Sequence, residues 1–169
     1  MSNPETDAGL HVVLVHPEIH WNAGNAGRSC LAAGAQLHLV EPLGFSLDAR
    51  QVARSGLDYW PRVKPRVWPD WGGLESRLDE LGEPFFFAAG ASRELWDVRF
   101  PERSVLLFGR ESSGFSESIR ARFPDRMVSI PMVDPDLRSL NLSTSVGVVL
   151  YEVLRQRRGL PAGRDDRSA

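Results

Sequence analysis

The sequence predicts an α/β fold, a mainly parallel sheet flanked by helices, on three observations. Short apolar, β-branched runs recur along the chain. Several are apolar at consecutive positions, as strands covered on both faces are. Between them lie segments with helical spacing, so strands and helices alternate.

Taken in order, residues 11 to 16 (HVVLVH) read as a buried strand closed by Pro17. A small-residue helix from Asn25 to Ala33 follows, and Gly34 stops it. LHLVE at 37 to 41 is a second strand, ended by Pro42, and Asp48 caps a short helix through Ser55, closed by Gly56. From Tyr59 to Trp71 three prolines and three tryptophans predict irregular chain with one strand at Val63 to Val67. Leu74, Leu78 and Leu81 place a helix over 73 to 81. FFFAA at 85 to 89 and SVLLF at 104 to 108 are buried strands. A short helix runs from Ser116 to Phe123, and MVSIP at 127 to 131 is the last strand. The final helix is marked by an apolar stripe of Leu142, Val146, Val149, Leu150, Val153 and Leu154.

The 169 residues, 42% hydrophobic and 25% charged, have the balance of one globular core. They are read as one domain over 1–158 with a polar tail at 159–169. No run approaches the roughly 20 apolar residues of a membrane helix, and the start is polar and acidic. The expectation is a cytoplasmic protein with no membrane partner. Cys30, the single cysteine, sits in an Ala/Leu-rich segment and reads as a small core residue. The net charge of −2 gives no global pull on nucleic acid. Lys64 is the only lysine, and it falls in a basic window with Arg50, Arg54, Arg62 and Arg66, which could meet phosphate or reflect an arginine-rich composition.

In a parallel sheet, ligands bind at the carboxyl ends of strands. Three strand-following loops carry polar groups that a mere connection does not need. The first, Asn22 to Arg28, joins glycines 24 and 27 to amide and guanidinium donors at a helix start. The second, Phe108 to Phe115, is a glycine-flanked turn around Glu111, in which Gly109 would let a flat ligand approach. The third, Ile130 to Ser143, pairs a hydrophobic lip with Arg138, Ser139, Asn141 and Ser143; either Asn141 or Ser143 can cap the final helix.

Competing motifs fail. No Gly-Lys-Ser/Thr P-loop surrounds Lys64, G-x-G-x-x-G is absent, and Ser112 and Ser113 do not form a G-x-S-x-G elbow. His16 and His20 are four apart, but Pro17 disfavours the helix that would pair them on zinc, so no metal is expected.

Together and in this order, HPEIHWNAGNAGRSC, EPLGFSLD with GLDYW, FGRESSG, and IPMV followed by RSLNLS and a helix through Tyr151-Glu152 resemble the SPOUT class of RNA methyltransferases. The nearest likeness is to the small TrmL-type tRNA (cytidine/uridine-2′-O)-methyltransferases, over residues 11 to 158. The resemblance implies a C-terminal trefoil knot (the α/β knot), a homodimer in which each site draws on both subunits, and S-adenosylmethionine as cofactor. It implies that Phe87, Gly109, Ile130 and Ser139 hold that cofactor. It also implies 2′-O-ribose methylation of tRNA at the wobble cytidine or uridine, with Arg28 at the reacting hydroxyl. Arg138 is the second choice for RNA or catalytic contact, and Asn141, Ser143 and Glu111 shape the pocket. Guanidinium groups keep their protons in proteins, so Arg28 is expected to position phosphate and 2′-oxygen and to stabilise negative charge rather than act as a base. The chain departs from the group at LNLSTSVG, at NAGNAG and at FFFAAG. Ribosomal RNA, another tRNA position, or a non-catalytic RNA-binding role are the alternatives.

Overall fold

The computed structural model describes residues 9–48 and 58–159. Its elements in chain order are β1 (Leu10–Val15), α1 (His20–Ala33), β2 (Gln36–Val40), α2 (Trp60–Val63), β3 (Arg66–Trp68), α3 (Trp71–Glu75), α4 (Leu78–Leu81) and β4 (Glu83–Phe87). They continue with β5 (Ser104–Phe108), α5 (Glu117–Arg122), β6 (Met127–Val128) and α6 (Leu142–Gly159). The six strands form one sheet in the order β3-β2-β1-β5-β4-β6, and every neighbouring pair is parallel.

The consecutive apolar residues of the strands serve two cores, one on each face. Leu10, Val12 and Leu14 of β1 meet Ala23, Ala26 and Cys30 of α1 and Val146, Val149, Leu150 and Val153 of α6. Val13 and Val15 point the other way, toward Leu74, Leu78, Leu81 and Ile119 on α3, α4 and α5. This is the two-sided burial that the runs predict. Cys30 is 1% exposed, and burial pushes its thiol up to about 12, so it is the inert core residue expected.

Several boundaries differ from the sequence reading. α1 begins at His20, five residues before Asn25, and its N-cap residue Ile19 makes no side-chain cap; the cause lies in a distant loop, described below. Gly34 ends it as predicted, at φ 69°, with its N–H on the Cys30 and Leu31 carbonyls. The helix expected over 73–81 is two short ones, the first capped by Asp70, which accepts from the Gly73 amide. The strand expected at 63–67 lies at 66–68, after a helical turn. The strand expected at 85–89 lies at 83–87, and that expected at 127–131 stops at Val128. There the partner strand β4 ends, and the Ser129 amide turns to the Arg93 carbonyl. Of the helix expected from Asp48 to Ser55, all but the capping Asp48 falls on residues outside those described.

Three polar side chains on the inner β1–β2–β3 face form a buried chain. Trp68 Nε1 donates to His38 Nδ1 at 3.0 Å, which leaves the His38 proton on Nε2, 3.0 Å from His11 Nδ1. His38 is fully buried. Burial, then the neighbouring His11 and the Arg66 charge, lower its pKa to about 3. The ring is therefore neutral in the folded protein and takes a proton near 6.5 only when unfolded, so its contribution is complete above that pH and is lost as pH falls from there toward 3. His16, lowered by burial and by Arg110, acts in the same direction. Between pH 7 and 5 the unfolding free energy from urea titration is expected to fall by on the order of 1 kcal/mol per pH unit, and less steeply in His38→Gln.

Candidate active site

The strand order reverses between β1 and β5, where the chain builds outward to β2 and β3 on one side and to β4 and β6 on the other. Parallel sheets open a crevice at such a point, above the carboxyl ends of the strands. Here it holds a cavity of about 380 Å³, within the range of small-ligand sites. Phe87 and Phe108 end β4 and β5 beneath it, stacked with ring centroids 5.1 Å apart. The loop after β6 closes it with Ile130, Met132 and Ser139, and Asn141, Leu142 and Ser145 enter from the start of α6.

The loops after β1 and β5 are clasped together by two carboxylates. Glu111 accepts from the backbone amides of Glu18 (2.8 Å) and Ile19 (3.1 Å) and from Asn22 Nδ2 (3.1 Å). It thus sits before the N-terminus of α1, where negative charge is favoured, and replaces the local cap that Ile19 cannot supply. Glu18 returns the contact by accepting from the Ser112 amide (2.9 Å) and hydroxyl (2.8 Å). Those two donors hold the Glu18 carboxyl below its usual range. Glu111→Ala leaves three donors unanswered and is expected to lower stability by about 2 kcal/mol, with a smaller loss in Glu111→Gln; urea titration measures both.

The third loop is tied into the same network. Asn141 Nδ2 donates to Asn22 Oδ1 at 3.0 Å, while Asn141 Oδ1 accepts from the Ser143 and Thr144 amides at 2.9 and 3.3 Å. Asn141 therefore both caps α6 and locks it to α1. Arg138 donates to the Ser112 carbonyl at 2.6 Å. Arg110, Arg120 and Arg138 all line the cavity, a cationic mouth suited to phosphate or carboxylate.

The structure brings together Phe87, Gly109, Glu111, Ile130, Arg138, Ser139 and Asn141 around one cavity. Ser143 stands beside it, with its hydroxyl donated to Asn141 Oδ1 at 2.7 Å. Gly109 lines the cavity, and close packing of the chain gives a second reason for a glycine there. An added Cβ would meet the Gly114 carbonyl carbon at 2.4 Å and the Phe115 nitrogen at 2.6 Å, because residues 110 and 114 close a tight turn through paired backbone bonds. Arg28 is set apart. It is exposed on α1, six residues beyond Asn22, which is about 9 Å along the axis, and its guanidinium lies 5.5 Å over the Tyr59 ring. Sequence reasoning gave no role to Glu18, Ile19 and Ser145, although they lie within HPEIHWNAGNAGRSC and LNLSTSVG.

Comparison with known proteins agrees with this arrangement. A profile described as the SpoU rRNA Methylase family matches residues 9–151. The chain belongs to that family. This SpoU-family chain is 42% identical over 149 residues to the tRNA (cytidine(34)-2′-O)-methyltransferase of Burkholderia cenocepacia, covering 87% of this chain and 95% of that one. It is 42% identical over 146 residues to the enzyme of the same name from Methylovorus glucosotrophus, covering 86% and 94%. Among solved structures, one described as giving structural insights into the 2-OH methylation of C/U34 on tRNA superposes with a TM-score of 0.81 at 45% identity, over 89% of this chain and 97% of that one. The SpoU methyltransferase AviRb of Streptomyces viridochromogenes, solved with its cofactor AdoMet, superposes with a TM-score of 0.75 at 26% identity, over 92% and 63%. The family likeness read from the loops is thereby established, and with it the SPOUT α/β fold.

Among the described residues no group of His, Cys, Asp and Glu is arranged to hold a metal, and no helix is long and apolar enough to cross a membrane.

Proposed function

We propose that this chain methylates the ribose 2′-hydroxyl of the wobble cytidine or uridine of tRNA with S-adenosylmethionine, in the cytoplasm. The observation that carries this is the interlocking of its three polar loops around one strand-end cavity, in a chain 42% identical to tRNA (cytidine(34)-2′-O)-methyltransferases over nearly its whole length.

The cavity suits the cofactor. Phe87, Phe108, Ile130 and Leu142 offer apolar walls for a flat base, while Ser139, Asn141 and Ser145 offer polar groups at its edge. S-adenosylmethionine, when bound, supplies an electrophilic methyl group. The chain's own work is to align and to exclude water, because displacement at carbon demands an in-line approach of the oxygen. The clasp of Glu18, Glu111, Asn22 and Asn141 fixes the three loops before substrate arrives, so little reorganisation is left for the reaction. The trefoil knot of the family, formed where residues 129–141 return to α6, belongs to the same reading.

Arg28 lies outside the cavity of its own chain, which favours a homodimer whose second copy brings Arg28 to the site. Such pairing would cover the large side chains of Trp21 on α1 and Tyr151 on α6, which are 51% and 58% exposed. Trp21 and Arg28, seven apart on α1, lie on one side of that helix. Arg28 then grips the phosphate beside the reacting nucleotide and stabilises the charge growing on the 2′-oxygen.

Incubation with labelled S-adenosylmethionine and separate tRNA and ribosomal RNA fractions, followed by nucleoside analysis, tests the reading. Label in 2′-O-methylcytidine or 2′-O-methyluridine from tRNA is expected. Label confined to ribosomal RNA, or carried on a base, would overturn it.

A further inference from the structure

We propose that Tyr59 is a positioning residue for methyl transfer, holding Arg28 from two sides; this rests on the role given to Arg28 above. The Tyr59 ring lies under the Arg28 guanidinium, 5.5 Å from its centroid. Its hydroxyl donates to the Gly24 carbonyl at 2.9 Å. In an α-helix that carbonyl also accepts the amide of the residue four ahead, which is Arg28. One side chain therefore fixes both the turn from which Arg28 projects and the face on which its cation rests.

Tyr59 can do this because its own anchorage is firm. It precedes α2, which presses on α1 at Gly27, where an added Cβ would lie 3.0 Å from Trp60 Cζ3 and 3.1 Å from Val63 Cγ1. Val63 is 7% exposed and belongs to the core under α1. Burial raises the Tyr59 pKa against the opposing pull of the Arg28 charge, so the phenol keeps the proton it donates.

The need for such a support follows from the side chain itself. Arginine has many rotamers, and an exposed one spends most of its time away from any single geometry. A planar guanidinium resting on an aromatic face keeps its fork pre-oriented. Reacting groups displaced by about 1 Å cost up to a hundredfold in rate.

Single-turnover and steady-state rates on tRNA test the proposal in Tyr59→Leu, Tyr59→Phe, Arg28→Ala and Arg28→Ala/Tyr59→Leu. Tyr59→Leu is expected to lower kcat about tenfold with the KM for S-adenosylmethionine unchanged. Tyr59→Phe, which keeps the ring, recovers most of that loss. In the Arg28→Ala background, Tyr59→Leu adds no further loss, as coupled residues require. An equal loss in both backgrounds, or full kcat in Tyr59→Leu while Arg28→Ala is inactive, overturns the role of Tyr59 alone. Full activity in Arg28→Ala overturns the role of Arg28 first, and that of Tyr59 with it. If Tyr59→Leu does not fold, Tyr59→Phe carries the same comparison: a loss of about twofold that vanishes without Arg28 is expected, and one that persists without Arg28 contradicts the proposal.

Discussion

Arg28→Ala is expected to slow methyl transfer to tRNA about a thousandfold, the cost of removing a donor aimed at charge that develops only in the transition state. Affinity for S-adenosylmethionine is expected to stay within about twofold of the wild type, because such a residue contributes to kcat rather than to ground-state binding. The geometry gives this contrast its sharpness. Arg28 is exposed, does not line the cavity of its own chain, and rests its guanidinium on the Tyr59 ring. Stability should change little, since an exposed arginine on one aromatic face is worth well under the total stability of a domain. Calorimetric titration with the cofactor, beside single-turnover rates, separates the two effects. A large loss of cofactor affinity would instead place Arg28 within the binding pocket.

Gly109→Ala is expected to have the opposite signature, a loss of both fold stability and cofactor binding. The atoms an added methyl meets are backbone, Gly114 C at 2.4 Å, Phe115 N at 2.6 Å and Gly114 O at 2.7 Å, so no side chain can swing away. To admit it, the turn joining Arg110 to Gly114 must open, although two backbone bonds of 3.1 and 2.8 Å hold it. Phe115, 4% exposed and packed edge-on against Phe86 at 5.4 Å, would be displaced with it. Overpacking of this kind costs about 3 kcal/mol. The same loop presents Glu111 to α1 and walls the cavity, so cofactor affinity is expected to fall at least tenfold. Urea unfolding and calorimetric titration on the same preparation would measure both. An unchanged urea midpoint would mean that the turn is free to relax.

The fold was largely legible because burial on two faces leaves a direct mark. Runs such as SVLLF have no polar register, and β5 appears where that run stands. Leu142, Val146, Val149, Leu150 and Val153 of the predicted stripe likewise become the inner face of α6, while Leu154 stands half-buried outside that core. The start of α1 was not legible, because its cap is a carboxylate about ninety residues away in sequence. Local signals cannot report such a partner. The division at Ser76 and Arg77 was also hidden, since three leucines at helical spacing serve one core equally well from two short helices.

The site shows the same split. Loops at strand ends rich in polar residues could be recognised, and Phe87, Gly109, Ile130 and Ser139 do surround one cavity. The division of labour within them could not. Glu111 and Asn141 look like pocket groups in sequence, yet the Glu111 oxygens are occupied in joining its loop to α1, and Asn141 caps α6 with its oxygen while its Nδ2 ties that helix to Asn22. Asn22 completes that network by donating to Glu111 and accepting from Asn141, a pairing visible only once β1 and β5 are neighbours.

Catalysis shared between two copies is the claim on which the mechanism turns, and subunit mixing tests it most directly. Arg28→Ala is co-expressed with Ser139→Trp, which fills the cavity, and neither variant alone is expected to transfer methyl groups. In mixed dimers the Arg28→Ala chain supplies an intact cavity and its partner supplies Arg28. One site in two is then complete in half of the dimers, giving about a quarter of the wild-type rate. A mixture as inactive as its parents, with mixed dimers confirmed, would show that Arg28 serves the cavity of its own chain and would contradict the shared site.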